Sequence, residues 1–301
     1  MSRTSVEIAT QPTCWRRAAE YATDFEGLPL PGERVAVTGC GTSWFMAMAY
    51  AALREAAGQG ETDAFASSEF PVGRSYDRVV AITRSGTTSE VLALLAEVRG
   101  KAPTLALTGD PKTPVMDAAD TIAVLDWADE ESVVQTRFAT TALAFLRAGL
   151  ERTGSLAPGV KTVAAAAVDA ELAVTEPLPE SVTSAEQWTF LGRGWTYGLA
   201  QEAGLKMREA AGAWTESYPA MEYRHGPISI TGPGRVAWMF GPLPEGLAGD
   251  VTNVGGTLVT HAGADPMADL IRAQRLAVVL AESKGYDPDH PRNLSRSVIL
   301  P

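Results

Sequence analysis

The chain has 301 residues, 46% hydrophobic and 20% charged, with a formal net charge of −11. That balance belongs to a globular protein and excludes a disordered or fibrous chain. The acidic excess also disfavours nucleic acid as a partner, because phosphate backbones attract lysine and arginine and repel carboxylates.

Residues 1–30 read as a helical N-terminal arm, with Trp15, Ala18, Ala19 and Tyr21 as its apolar contacts and Pro29 and Pro31 closing it. This opening stretch is polar and has no apolar signal-peptide core. No later apolar run approaches the ~20 residues that span a bilayer, so a cytoplasmic protein without a membrane partner is expected. The β-branched run 34–38 leads into Gly39-Cys40-Gly41-Thr42-Ser43 and then an Ala/Met-rich helix over 44–57. A second strand is expected over 79–83, followed by the loop 84–89 and a helix to Arg99; further strands are expected at 104–108 and 121–125, with a short helix near 113–118 between them. A helix over 131–151 closes this half. Short apolar strands alternating with helices imply a parallel sheet covered on both faces.

The Gly/Pro-containing stretch 153–160 reads as a connector, and an Ala-rich helix over 161–175 follows it. The opening theme then returns: a strand at 188–191, Gly192-Arg193-Gly194, and a helix over 196–211. Arg-Glu-Ala-Ala occurs at 54–57 and again at 208–211. Later strands are expected at 236–240 and 257–259. This internal echo predicts two copies of one α/β unit, with boundaries at 1–30 for the arm, 31–155 for the first unit, and 156–301 for a linker helix, the second unit and a C-terminal tail. Gly241-Pro242-Leu243-Pro244 stands where the first half has Arg84-Ser85-Gly86-Thr87, so the second copy has lost the hydroxyls.

Those hydroxyls are the first chemical signal. Thr83, Ser85, Thr87 and Thr88 surround one glycine ahead of a helix N-terminus, where converging N–H groups and the helix dipole favour an anion. The bland alternative is a capping box from Thr87 to Glu90. The loop lacks the Gly-Lys-Ser/Thr ending of a nucleotide-triphosphate loop. Gly39–Ser43 reads either as a tight turn or as part of a dinucleotide fingerprint, but Trp44 occupies the place of the third glycine. That leaves a dinucleotide oxidoreductase as a minor reading. Glu202, Lys206 and Glu209 share one helix face. They form either a solvated stripe or a carboxylate base beside an ammonium, a pair suited to moving a proton next to a carbonyl. His225, in Glu222-Tyr223-Arg224-His225-Gly226-Pro227, sits in a turn context that favours an accessible imidazole. The cysteines, Cys14 and Cys40, have no CxxC or Cys/His spacing, so no zinc site or other cofactor is expected.

Taken together, these motifs resemble proteins with tandem sugar isomerase (SIS) domains, in particular the isomerase portion of glucosamine-6-phosphate synthase and its amino-sugar-phosphate relatives. The resemblance runs from Glu7-Ile8 and Gln11-Pro12 through 39–43, 66–70, 85–88 and 130–141 to 191–194, 206–209, 222–227 and 289–294. It implies two flavodoxin-like three-layer sandwiches, a phosphorylated hexose derivative as substrate, and a homodimer. It also implies that Ser43, Thr83, Arg84, Ser85 and Thr88 hold the phosphate, with Gly41, Thr42, Glu130 and Val133 nearby. Glu209 would shuttle a proton between C1 and C2, and His225 would open the sugar ring from the neighbouring subunit. Lys206 and Glu202 would line the site.

There are two departures from that pattern. The chain opens directly on the isomerase arm, without the synthase's glutaminase domain, and Arg296 follows Asn293-Leu294-Ser295 near the place of the synthase's condensing lysine. A guanidinium stays protonated and is a very poor Schiff-base nucleophile. The run 131–137 also looks more like the deaminase or deglycase branch. The expectation is therefore a sugar-phosphate isomerase or amino-sugar-phosphate deaminase. A non-catalytic sugar-phosphate sensor is the alternative, disfavoured because both Glu209 and His225 are present.

Overall fold

The computed structural model describes residues 1–154 and 156–300. In chain order the first half comprises α1 (Arg3–Ala9), α2 (Gln11–Asp24), β1 (Val35–Gly39), α3 (Thr42–Ala56), β2 (Thr62–Ala66), β3 (Arg78–Ile82), α4 (Ser89–Val98), β4 (Thr104–Thr108), β5 (Thr121–Val124) and α5 (Arg137–Arg152). The second comprises α6 (Val163–Ala173), α7 (Glu180–Thr183), β6 (Gln187–Gly192), α8 (Thr196–Ala211), β7 (Thr215–Pro219), β8 (Arg235–Met239), α9 (Leu247–Asn253), β9 (Thr257–Thr260) and α10 (Pro266–Ser283). The chain is thus an α/β fold with two parallel sheets, ordered β2-β1-β3-β4-β5 and β7-β6-β8-β9. The expected boundary at residue 155 and the end of the second unit, residue 301, lie outside the described residues. No helix among the described residues is long and apolar enough to cross a membrane.

The inner strands β1 and β4 are buried at every position, which is why they read as continuous short apolar runs. The sequence reading missed β2 and β7. Both are edge strands, each paired on one side to β1 or β6, and each buries only its first residue. With one neighbouring strand and every position after the first only half-buried, neither needs an apolar run. The helix expected over 131–151 begins only at Arg137, for a reason that belongs to the site below.

The helices between the sheets share one core, in which Trp15, Met46, Phe145, Leu199 and Leu276 are all buried. Helix α3 crosses closely on α8. A Cβ at Gly198 would lie 2.5 Å from the Phe45 carbonyl oxygen and 2.9 Å from the Ala49 nitrogen. Backbone atoms cannot swing aside, so this glycine sets the helix separation. Gly198→Ala is expected to cost about 1–3 kcal/mol and to lower Tm. Gly249→Ala, on an exposed face of α9 where the nearest atom would be 4.0 Å away, should instead leave Tm unchanged or raise it. Paired thermal melts of the two variants check both signs.

Candidate functional site

The carboxyl ends of β1 and β3 lie side by side, Gly39 opposite Ile82. The chain leaves β1 toward β2 on one flank and returns to β3 on the other, so a crevice opens between the loops that follow them. A cavity of about 190 Å³ occupies it. Gly41, Thr42 and Ser43 line it from the β1 loop, and Thr83, Arg84, Ser85 and Thr88 from the β3 loop. Glu209 comes from α8 in the other half of the chain, and Val133 and Gln135 from the loop before α5. The tail residues 294–298, Arg296 among them, also face it.

The β3 loop keeps donors free. Gly86 has φ +62°, and a Cβ there would fall 2.0 Å from Thr113 Oγ1, so only glycine fits the turn. Thr87 Oγ1 is spent on Ser85 Oγ at 3.1 Å and Ser297 Oγ at 2.9 Å. Thr88 is the N-cap of α4 but makes no side-chain cap bond, and Thr87 Oγ1 is engaged elsewhere, so the alternative capping box from Thr87 to Glu90 does not form. The Thr83 hydroxyl is buried with no hydrogen-bond partner. A buried hydroxyl left unpaired costs free energy unless something arrives to pair it.

Arg84 lies in the wall, but its guanidinium is already engaged. It donates to the carbonyls of Ser132 at 3.1 Å, Val133 at 3.0 Å and Arg296 at 3.2 Å. Arg296 in turn donates to the Glu130 carbonyl and pairs with Asp129. The two arginines thus clasp the tail against the loop 129–133. Glu130 stands beside the cavity rather than in its lining. Its Oε1 accepts from the Thr136 and Arg137 amides, each at 2.7 Å, and from the Thr136 hydroxyl at 2.7 Å. That carboxylate satisfies the first turn of α5, and residues 131–136 are held as a loop instead of joining the helix. Glu7 supports the same loop, accepting from the Glu131 amide at 2.6 Å, while the Asp289 carbonyl accepts from Val133 N at 3.0 Å. Sequence reasoning missed the roofing role of the tail. The loss of the lysine at 296 was visible, but the partners of Arg296 are about 166 residues distant and leave no local signal.

The charged face of α8 is no solvated stripe. Glu202 is 0% and Lys206 1% exposed. Lys206 Nζ lies 3.5 Å from Glu202 Oε1, pairs with Glu209, and donates to Thr42 Oγ1 at 2.9 Å across the α3–α8 crossing. Neither Glu202 oxygen has a hydrogen-bond partner. Burial pushes the Glu202 carboxyl up to about 8; Lys206 opposes that shift and Glu209 adds to it. Burial works against the Lys206 charge, but the two carboxylates outweigh it and hold its pKa above the ordinary lysine value. One ammonium cannot balance two buried carboxylates, so Glu202 keeps its proton through the neutral range and Lys206 pairs with Glu209. Glu209 also borders a second, polar cavity of about 520 Å³ containing Arg208, His290 and Arg292. Cys40 lines the first cavity, with its thiol pKa raised by burial, and so is a poor nucleophile. His225 is exposed at the end of a short 3₁₀ turn and is not part of either lining.

The raised Glu202 pKa has a thermodynamic consequence. Between the ordinary value of 4.5 and about 8 the folded state binds more protons than the unfolded state. Stability from this group is therefore complete below the lower value and is lost as pH rises through the upper one. Glu202→Gln removes that loss. The Tm of the variant relative to the parent should be near zero difference at pH 5 and higher by about 2–4 °C or more at pH 8.5. A pH-independent difference would contradict the assignment.

No protein-family model matches the chain. It is 26% identical to a glutamine–fructose-6-phosphate aminotransferase (isomerizing) of Nostoc, over 89% of this chain and 52% of that protein. The chain spans about half the length of the curated relatives it matches. The fold matches a glucosamine-6-phosphate deaminase from Thermotoga maritima with a TM-score of 0.82 at 22% identity, covering 99% of this chain and 100% of that one. It also matches a tagatose-6-phosphate ketose/aldose isomerase from Escherichia coli, with a TM-score of 0.75 at 18% identity over 100% and 96% of the two chains.

Proposed function

We propose that the chain is an enzyme of phosphorylated hexose derivatives, an aldose–ketose isomerase or an amino-sugar-phosphate deaminase. The observation that carries this reading is the opposition within one cavity of unspent hydroxyls, Thr83 above all, and the Glu209 carboxylate paired to a buried lysine. The hydroxyls of Ser43, Thr83, Ser85 and Thr88 hold the phosphate at the N-termini of α3 and α4, where anions are favoured. This anchors the sugar so that its C1–C2 bond lies by Glu209. The Glu209 carboxylate takes the proton from C2 of the open aldose form; that electron pair forms the C1=C2 bond as the C1 carbonyl π pair moves onto O1, which takes up a proton. The C2 hydroxyl or amino group then gives up a proton as its lone pair forms the C2 carbonyl or imine, and the C1=C2 pair takes the proton from Glu209 at C1. With a 2-amino substituent, water then adds to the imine carbon and ammonia leaves. Lys206 holds Glu209 in place, and Glu202, proton-bearing, keeps that pair electrically balanced.

In this reading Arg84 and Glu130 position the loop and tail around the phosphate. Arg296 supplies no amine, which disfavours the amination direction. The two sheets correspond to tandem domains over 31–155 and 156–301. The chain forms a homodimer in which the exposed His225 opens the sugar ring in the neighbouring copy's cavity. Incubation with hexose 6-phosphates and 2-amino-hexose 6-phosphates, followed for ketose and ammonia, tests the proposal. Turnover of at least one compound is expected. Binding of these compounds without turnover of any would refute the enzyme reading.

A further inference from the structure

The second sheet has its own switch point. The chain leaves β6 toward β7 and returns to β8 on the opposite flank, repeating the topology that opens the first cavity. The loops after β6, β8 and β9 enclose a cavity of about 460 Å³ there, roofed by the linker residues 158–161 as the tail roofs the first. That volume falls within the ordinary range for small-molecule sites. Nothing in the sugar-phosphate reading uses it.

Its chemistry differs from that of the first cavity. The one hydroxyl carried over at the equivalent helix start, Thr196 Oγ1, is spent on the Phe240 carbonyl at 2.9 Å, whereas Thr83 is left free. The charged groups are matched in pairs. Arg147 and Asp265 meet at 2.8 Å with side chains 1% exposed, and Lys161 meets Asp169 at 2.5 Å. Asp265 also caps α10, accepting from Met267 N at 2.9 Å. Among the described residues of this wall, no unbalanced cation is left to attract a phosphate. The wall is instead apolar, with Trp195, Val160, Pro242 and Leu243. The Arg147 guanidinium lies 5.2 Å from the Trp195 ring centroid and fixes the indole.

One polar group in this wall is oriented from behind. His261 Nδ1 lies 2.7 Å from Asp269 Oδ1, an ion-pair approach without hydrogen-bond alignment, and is itself buried, while the imidazole as a whole is 24% exposed. The exposed part of the ring is therefore the Nε2 edge. Asp269 is buried and is itself held by Trp238 Nε1, which donates to Oδ2 at 3.1 Å. The negative charge of Asp269 this close to Nδ1 favours a proton on that nitrogen, which in the neutral ring leaves Nε2 an acceptor. An apolar aromatic wall with one fixed acceptor selects a planar, uncharged molecule that carries a donor on its ring.

We propose that this cavity is a second ligand site, separate from the first, for a small uncharged heterocycle with a ring N–H or amino donor, stacked on Trp195 and bonded to His261 Nε2. Equilibrium dialysis of the full chain against adenine, nicotinamide and indole tests it, with inorganic phosphate as the charged comparison. At least one heterocycle should bind saturably, and phosphate should not displace it. Leu243→Arg, which puts a charge into the half-buried wall, and His261→Ala should each weaken that binding about tenfold or more. Ser85→Ala, in the first cavity, should leave it unchanged. Melting curves of each variant confirm folding. If none of the three compounds binds, if phosphate displaces the bound one, or if binding survives either Leu243→Arg or His261→Ala, the proposal is overturned.

Discussion

Glu209→Gln is expected to lower turnover of the sugar phosphate by ~10²–10⁴-fold, the usual contribution of a positioned base, and to leave affinity within a few-fold of the parent. Glutamine keeps the size of the side chain and can still accept from Lys206, so the cavity keeps its shape. Only the basic oxygen is lost. In the proposed reading the phosphate sits on the β3 loop while Glu209 enters the cavity from α8, which is why binding and turnover should separate. A protein that only senses a sugar phosphate would show no such split, because it has no turnover to lose. Single-turnover kinetics beside a binding isotherm makes the comparison. Loss of affinity equal to loss of rate would mean that Glu209 acts in binding alone.

Lys206→Met is expected to be the most destabilising single change at the site. Lys206 is the one cation within reach of Glu202 and Glu209 among the ion pairs of the described residues. Removing it leaves the Glu209 carboxylate without its counter-charge and breaks the 2.9 Å bond to Thr42 that ties α8 to α3. Breaking a buried pair on one side costs about 3–5 kcal/mol, here a Tm drop of ~6–10 °C or more. Glu209→Gln in the same chain should recover much of that loss, since it removes the carboxylate that Lys206 neutralises. A double-mutant cycle by chemical denaturation measures the coupling. Simple additivity of the two effects would show that the charges do not share a balance.

The sequence carried the features that depend on neighbours along the chain. The inner strands could be read because both faces are covered and most positions are apolar or β-branched, and the β3 loop could be read because its hydroxyls and Gly86 are adjacent. Elements set by distant parts of the molecule could not be read in the same way. β2 and β7 are ordered as edge strands by pairing with β1 and β6, and their half-polar sequences Thr62–Ala66 and Thr215–Pro219 carry little strand signal of their own. α10, the long helix after Pro266, was also passed over. Its residues Leu270 and Leu276 are buried in the shared core, but the buried polar residues Asp269, Arg272 and Gln274 break the apolar pattern. The charged face of α8 was visible as a spacing, but its burial was not, because α3 from the other half of the chain covers it. The clasp formed by Arg84 and Arg296 joins residues 212 positions apart, a relation no local pattern encodes.

The central claim is that Glu209 moves a proton between carbons of a phosphorylated sugar seated on the 83–88 loop. Incubation of the protein with hexose and amino-hexose 6-phosphates in D₂O, read by proton NMR of the C1 and C2 positions, tests it most directly. The account predicts deuterium entering at C1 or C2 of at least one of these compounds, at a rate lost in Glu209→Gln. Tight binding with both positions left fully protonated, or exchange that continues unchanged in Glu209→Gln, would contradict it.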